Sequence, residues 1–202
     1  MTGIEKFEEY ERKLRENHQP GEMIFTVSGL PGRGKSTLAR FLADEFNLNL
    51  FTAGDFHRQE AGKRDLSIGE FMEQIDEIEE REGVDFDLKL DKKILETAYK
   101  NDKIVFDSRL AGILLQDVAD IRILVECSIE NVAERVAQRE GWTKEEAREH
   151  IEERARVERR RYKEIYGVDL TDRKYYNIVI DNSGPLEETE KELLEKVKQK
   201  LD

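Results

Sequence analysis

Residues 29–36 have the types and spacing of a loop that binds nucleotide phosphates. Their sequence, GLPGRGKS, matches G-x-x-x-x-G-K-[ST] at every fixed position. Glycines let the backbone curl so that successive N–H groups face phosphate oxygens, and a helix beginning near Lys35 adds its positive dipole end. Lys35 can then reach the β- and γ-phosphates, and the Ser36 hydroxyl can bind Mg²⁺. The predicted contacts to ATP are Gly29, Leu30, Pro31, Gly32, Arg33, Gly34, Lys35, Ser36 and Thr37.

A carboxylate stands directly after a later apolar run. Residues 103–106 read KIVF and are followed by Asp107. In phosphate-loop proteins an Asp at the end of a neighbouring strand helps to hold the metal. We therefore predict Asp107 as the partner of Ser36 at a magnesium site. No Asn-Lys-x-Asp sequence occurs in the chain, which disfavours a guanine-selective switch GTPase.

Arginines crowd the second half of the chain, between residues 135 and 161. A phosphoryl group in transfer spreads negative charge over its oxygens, and planar guanidinium groups stabilise that charge. Arg154, Glu158 and Arg161 stand at i, i+4 and i+7, so one helix face would carry two guanidiniums and a carboxylate that can orient them. The alternative is a solvated helix with Glu–Arg pairs, and it suits Arg148.

These residues must be positioned by an alternation of strands and helices. Short apolar runs begin near residues 23, 48, 104, 121 and 178, and they lack the alternation of half-solvated strands. Between them, residues 36–46 and 90–99 have apolar side chains at i, i+3 and i+4 spacing. The pattern predicts an α/β fold with a five-stranded parallel sheet.

Capping residues mark two further helices. Ser128 is suited to begin a helix that Gly141 would end. Thr143, with Glu146 three residues later, forms a capping box that opens a long helix toward Tyr166.

Two segments do not fit this alternation. Residues 1–20 include an amphipathic charged stretch at 4–16, which we expect to form an appended helix packed on the domain; a dimer contact or a flexible tail are the alternatives. Residues 73–87 contain eight acids and one base, Arg81. Such a run is typical of a solvated face, and a mobile lip over a substrate is the alternative.

The composition limits the class of protein. The chain has 202 residues, 34 basic against 46 acidic, giving a net charge of −12, and 38% hydrophobic residues can build one core. A single cysteine excludes a disulfide framework and indicates a reducing cytoplasm. The chain shows no signal-peptide pattern and no apolar run of membrane length. We expect a cytoplasmic monomer, with a dimer through the N-terminal helix as the alternative, that does not act by coating nucleic acid.

Four segments together resemble the small nucleoside monophosphate kinases, and within them the archaeal-type cytidylate kinases. The phosphate loop is shared with many NTPases. Residues 52–55, TAGD, with Arg58 resemble the family's SAGD…R, and residues 107–112, DSRLAG, resemble its EGRLAG. Residues 154–169 resemble its R-x-R-S-E…RYxxYYGID helix. The last three segments are the more specific, and the resemblance covers residues 23–185.

The resemblance implies a three-layer α/β/α P-loop NTPase fold and transfer of a phosphoryl group from ATP to CMP or dCMP with Mg²⁺. Residues 21–202 would form the kinase domain, with a monophosphate-binding segment at about 55–95 and a lid and arginine helix at about 139–162. Arg135 and Arg139 would lie over ATP. Catalysis would depend on Lys35, Asp107, Arg154 and Arg161. Contacts to the acceptor would come from Gly54, Asp55, Arg58, Arg109, Gly112, Arg154, Arg156, Glu158 and Arg161.

The chain departs from the family pattern in places that concern the acceptor base. Val157 replaces a small hydroxyl residue, and Asp107–Ser108 stands where Glu-Gly is typical. Asp87 and Asp91 are candidate base-reading residues, whereas we interpret His57 as structural. A kinase for another small acceptor and a P-loop ATPase switch acting with RNA or protein remain the alternatives.

Overall fold

Helices cover both faces of a five-stranded parallel sheet in the computed structural model, which describes residues 12, 13, 16 and 23–201. The sheet order is β2-β3-β1-β4-β5, and every neighbouring pair is parallel. The predicted α/β sheet is confirmed. The predicted N-terminal helix lies almost wholly outside the described residues. The strands are β1 (Met23–Ser28), β2 (Asn49–Thr52), β3 (Lys103–Asp107), β4 (Ile121–Glu126) and β5 (Ile178–Asp181).

Several of the helices between and after these strands are short and were not predicted from the sequence. Most of these lie between residues 53 and 82. A 3₁₀ turn, Arg173–Tyr175, precedes β5. The helices are α1 (Lys35–Phe46), α2 (Ala53–Gly62), α3 (Ile68–Glu73), α4 (Ile75–Glu82), α5 (Phe86–Lys100), α6 (Ala111–Leu114), α7 (Ile129–Glu140), α8 (Lys144–Tyr166) and α9 (Leu186–Leu201).

The predicted helix caps are confirmed. The Ser128 side chain accepts a hydrogen bond from the Asn131 N–H at the start of α7, and Gly141 ends that helix with φ +73°. Thr143 and Glu146 form both hydrogen bonds of a capping box at the start of α8. These caps satisfy backbone groups that a helix end leaves unpaired, so their signal is local and readable from sequence.

The strands are mostly apolar because helices cover both faces of the sheet. On one face, Phe25 and Val27 of β1 pack in a cluster with side chains of α1 and α9. On the other, Ile24 belongs to a cluster built from α5 and α6. A strand buried on both sides has no polar face, which explains the missing alternation.

The order of the strands places the chemistry-bearing loops at one edge. Strand β1 is central, with β3 on one side and β4 on the other. The phosphate loop follows β1 and Asp107 ends β3, so both lie at the carboxyl ends of adjacent strands. In open α/β sheets this edge, where the strand order reverses, is where ligands bind.

Two smaller hydrophobic clusters lie outside the sheet. Phe71, Ile78 and Phe86 join α3, α4 and the start of α5. Leu110, with Tyr162 and Tyr166 of α8, forms the other. Among the described residues, no helix has the length and apolar character needed to cross a bilayer.

Candidate active site

The phosphate loop has a backbone that requires glycine. Gly29, Gly32 and Gly34 all have positive φ. A Cβ on Gly29 would lie 2.5 Å from the Val125 carbonyl oxygen, and one on Gly34 would collide with the Asn182 amide. The Asn182 Nδ2 donates to the Arg33 carbonyl oxygen at 2.9 Å and so ties the loop to the end of β5. The loop is thus held in shape by its neighbouring strands.

Lys35 is folded back over this loop. Its Nζ donates to the Leu30 carbonyl oxygen at 2.9 Å. Burial, and next the positive charge of Arg109, lower the pKa of Lys35 to about 8. A cation that has lost hydration and faces another cation gains strongly when an anion arrives. Lys35 is therefore placed and charged for phosphate.

Ser36 and Asp107 meet as predicted. The Ser36 Oγ donates to Asp107 Oδ2 at 2.5 Å. A hydroxyl and a carboxylate are hard oxygen donors that suit Mg²⁺, which is bound by a few protein oxygens together with substrate phosphates and water. The part of the chain that the structure describes holds no cluster of three or more His, Cys, Asp or Glu side chains that could bind a metal.

These groups open into a cleft of about 500 Å³. The cleft runs from the phosphate loop to the start of α2 and along α7 and α8. Sequence-predicted residues that line it are Pro31, Gly32, Lys35, Ser36, Gly54, Asp107, Arg109, Arg139 and Arg154. Unpredicted lining residues include His57, Leu90, Trp142, His150 and Tyr162.

A second cavity of about 480 Å³ adjoins the other side of the phosphate loop. Arg135, Arg139 and Asn182 line it together with loop residues. The Arg135 Nη2 reaches the Gly184 carbonyl oxygen at 3.4 Å. This places two predicted lid arginines beside the loop and near the segment after β5.

Glu158 joins two arginines that line the cleft. Its carboxylate lies 3.0 Å from Arg109 Nε and 3.6 Å from Arg154 Nη2. Burial opposes the charge of Arg109, and Glu158 raises the pKa of Arg109 above its usual value. The predicted orienting role of Glu158 toward Arg154 has geometric support, and the link to Arg109 was not predicted because the two residues lie far apart in sequence.

Arg161 differs from its prediction. Its Nε lies 2.6 Å from Asp87 Oδ2, and its Nη2 lies 3.8 Å from Glu79 Oε2, while Glu158 is paired elsewhere. Arg161 therefore binds the acidic segment rather than lining the cleft. Helical spacing alone could not separate these partners, since the competing acids come from other elements.

The acidic segment 73–87 is only partly a solvated face. Glu73, Asp76, Glu77 and Glu80 are exposed as expected. Glu79, however, accepts from the Phe86 N–H at 2.8 Å, and Asp85 caps α5 by accepting from the Leu88 N–H. The prediction is wrong for these inward acids, which hold α4, α5 and α8 together.

Three predicted acceptor contacts lie at or beyond the rim. Arg58 is exposed and binds Asp55 Oδ1 at 2.6 Å, close to Gly54 at the cleft edge. Arg156 is exposed and pairs with Glu153 outside the cleft. Gly112 packs beneath the cleft, where a Cβ added to it would lie 2.6 Å from the Tyr176 ring.

The comparison with protein families decides the relationship. The model of the cytidylate kinase-like family matches residues 24–184. The chain belongs to that family. A cytidylate kinase from Methanopyrus kandleri is 38% identical, over 80% of this chain and 85% of that protein. One from Halobacterium salinarum is also 38% identical, over 81% of this chain and 83% of that protein.

Solved structures agree on the fold. A shikimate kinase from Bacteroides thetaiotaomicron superposes with a TM-score of 0.57 at 12% identity, over 88% of this chain and 99% of that one. At that identity the likeness concerns architecture alone. The family model spans the phosphate loop, Asp107, Arg109 and the arginines of α8, so every cleft residue described above falls within the matched part of the chain.

Proposed function

We propose that this protein transfers the γ-phosphoryl group of ATP to CMP or dCMP, giving ADP and CDP or dCDP. The observation that carries this is the shared cleft: Arg109 and Arg154, joined by Glu158, face the same space as Lys35 and Asp107. Cations on both sides of one cleft suit two phosphate-bearing ligands. Membership of the cytidylate kinase-like family and the names of its relatives support the acceptor.

The ATP side would use the phosphate loop. Its backbone N–H groups and Lys35 would bind the β- and γ-phosphates, with Arg135 and Arg139 beside the loop. Ser36 and Asp107 would hold Mg²⁺, which would supply positive charge against the negative charge that develops during transfer. The loop glycines and Asn182 keep this cradle in shape before ATP arrives.

The acceptor side would use the arginines. Arg109 and Arg154 lie in the cleft and would bind the α-phosphate of the monophosphate, with Arg58 and Gly54 at the entrance. The second ionisation of a phosphate monoester has a pKa of about 6, so the attacking oxygen is already anionic at neutral pH and needs no general base. The protein's part is to hold the two phosphates in line and stabilise their charge.

Two peripheral units would complete the cleft. Helices α2 to α5 would form the monophosphate-binding segment, and α7 with the first turns of α8 would form the lid. Gly141, with φ +73° and open space around it, lies between α7 and α8. Closing these units would exclude water, which otherwise competes as acceptor.

An acceptor screen tests the proposal. ADP release is measured with ATP and Mg²⁺ in the presence of CMP, dCMP, UMP, AMP or GMP, with a Lys35→Ala variant as control. We expect CMP or dCMP to raise the rate well above basal hydrolysis in the native chain and not in the variant. Rates that respond to RNA and to none of the five monophosphates would instead favour an ATPase switch.

A further inference from the structure

One cleft residue, His57, has no task in the mechanism above. It lies on α2 between Gly54 and Arg58, and its side chain lines the cleft together with Leu90 and Tyr162. Gly54 and Arg58 are both proposed at the acceptor entrance, so the imidazole between them in the chain is positioned to contact the acceptor.

The His57 ring carries an unused hydrogen-bonding atom. Its Nδ1 is buried and has no hydrogen-bond partner among the described residues. A buried polar atom without a partner costs free energy, so such an atom in a native structure calls for an explanation. Of the few buried side-chain atoms in this state within the described chain, it alone belongs to a residue that lines the cleft.

The surroundings of His57 suit a flat, uncharged group. The ring packs edge-on to Phe56, with centroids 5.5 Å apart, and lies 6.4 Å from the Phe71 ring. Leu90 adds an apolar wall, and Tyr162 an aromatic one. The imidazole itself adds no positive charge for a phosphate, which Arg109 and Arg154 would bind instead.

The surroundings of His57 favour its neutral form. Burial, and next the positive charge of Arg109, lower its pKa, and these effects outweigh the opposing influence of Asp87 and Glu60. Arg161 also lowers it. A neutral imidazole offers one N–H donor and one lone-pair acceptor, the combination that the edge of a pyrimidine base requires.

We propose that His57 binds the hydrogen-bonding edge of the acceptor base and helps to select cytosine over uracil. The proposal rests on the proposed kinase function and adds a residue that determines its specificity. The two bases differ at position 4, which is an amino group in cytosine and a carbonyl in uracil, and at the adjacent ring nitrogen. Nδ1 accepts in one imidazole tautomer and donates in the other, so the proposed selection requires the cleft to hold one tautomer; the wrong base then leaves buried groups unpaired.

Matched variants test this selection. His57→Phe keeps a ring against Phe56 and Phe71 but removes both nitrogens, whereas His57→Gln keeps a donor and an acceptor. We expect His57→Phe to raise the KM for CMP about 10-fold, to leave the KM for ATP unchanged, and to lower the CMP-to-UMP ratio of kcat/KM by a similar factor. His57→Gln should recover part of the ratio.

The arms of the experiment separate the possible failures. A native chain that phosphorylates none of the monophosphates overturns the proposed function itself, before any variant is read. If the native chain is active and His57→Phe leaves the CMP-to-UMP ratio unchanged, the base contact is wrong. If His57→Phe changes the CMP-to-dCMP ratio instead, the contact is to the sugar and the proposal is also overturned.

Binding can be read without catalysis and without the Phe variant. The chain has three histidines, so the side-chain nitrogen signals of the native protein can be assigned with His57→Gln. We expect the His57 signals to shift when CMP is added alone and to stay in place with a non-hydrolysable ATP analogue alone. Signals unmoved by saturating CMP would refute the contact even if the Phe variant does not fold.

Discussion

Lys35 has a charge that the folded protein holds at a cost. Burial and Arg109 lower its pKa from 10.5 to about 8. Because the unfolded chain binds the proton more tightly, stability rises as the pH increases from about 8 to about 10.5, and below that window the full cost is present. The Leu30 carbonyl contact offsets part of it. The buried charge of Lys35 therefore lowers stability as long as no phosphate is bound beside it.

Lys35→Met should separate stability from activity. The substitution keeps an unbranched side chain and removes the charge, so we expect a thermal midpoint at pH 7 a few degrees above the native value, while phosphoryl transfer falls by about 10²–10³-fold or more. Calorimetry and the coupled ADP assay measure the two effects. A lower midpoint at pH 7 would contradict the account of the buried charge.

Arg109→Ala should affect the acceptor far more than ATP. Arg109 lines the cleft and is held by Glu158 at 3.0 Å. We expect the KM for CMP to rise about 10²-fold with the KM for ATP changed less than about 3-fold, since a charged hydrogen bond is lost at one ligand only. Arg148→Ala is the control, because Arg148 is exposed and pairs with Glu152. Equal losses for both nucleotides would remove Arg109 from the acceptor site.

At the scale of elements, features that depend on neighbouring residues could be predicted from the sequence, whereas contacts between distant elements could not. The strand runs and the caps at Ser128 and Thr143 could be predicted because each depends on residues within one turn or one strand. Arg161 could not, since its partners Asp87 and Glu79 come from other helices. A lone His57 carries no periodic pattern, so only the folded cleft shows where it points.

The segment α2 to α5 is held around one buried carboxylate. The Glu60 side chain is 3% exposed and binds Lys63 at 2.5 Å, Lys89 at 2.8 Å and Arg64 at 3.2 Å. Although burial opposes its charge, these cations lower the pKa of Glu60 to about 2. Arg64 also lies over the Phe86 ring, 4.9 Å from its centroid. Ion pairs and aromatic packing therefore stabilise the same contact between α2 and α5.

Glu60→Gln should destabilise the contact between α2 and α5 and weaken the dependence of stability on pH below about 4.5. We expect a loss of about 2 kcal/mol at pH 7, below the ~3–5 kcal/mol of a wholly buried pair because Lys63 and Lys89 keep part of their hydration. The native advantage is fully present above pH 4.5 and is lost as the pH falls from about 4.5 to about 2, because the folded pKa is the lower one. Urea unfolding across this range measures it.

The control for this variant is Glu73→Gln, which removes an exposed acid from the same segment. It should follow the native pH dependence within experimental error. If the two variants lose stability equally at pH 7, the ion pairs of Glu60 with the surrounding cations do not stabilise the protein.

At the scale of the whole molecule, positive charge is concentrated in the cleft and the excess negative charge lies on the outer surface. The net charge is −12, yet the cleft is lined by Lys35, Arg109, Arg139 and Arg154. The exposed acids of 73–87 and of the helix surfaces supply the excess. Such a distribution admits small phosphates to a confined cationic site and repels extended polyanions from the outer surface.

The protein should therefore ignore polyanions while binding nucleotides. On a heparin column at pH 7 we expect it to elute at or below about 0.15 M salt, because acidic residues outnumber basic ones and the net charge of −12 opposes binding of a polyanion. An excess of single-stranded RNA should leave the rate of CMP phosphorylation unchanged. Retention that needs several-fold more salt would contradict this account, because it would show that exposed cations bind polyanions despite the acidic excess.

The bond from Asn182 to the Arg33 carbonyl oxygen has a consequence for synthesis of the chain. It joins positions 149 residues apart, and the central strand β1 gains its partners β3 and β4 only when residues 103–126 exist. The phosphate loop leaves the ribosome 149 residues ahead of the side chain that supports it. A nascent chain that stops before residue 178 would carry the complete nucleotide motif without a strand to brace it. Ribosome-bound intermediates should therefore display the motif and lack affinity for ATP until β5 is released from the exit tunnel.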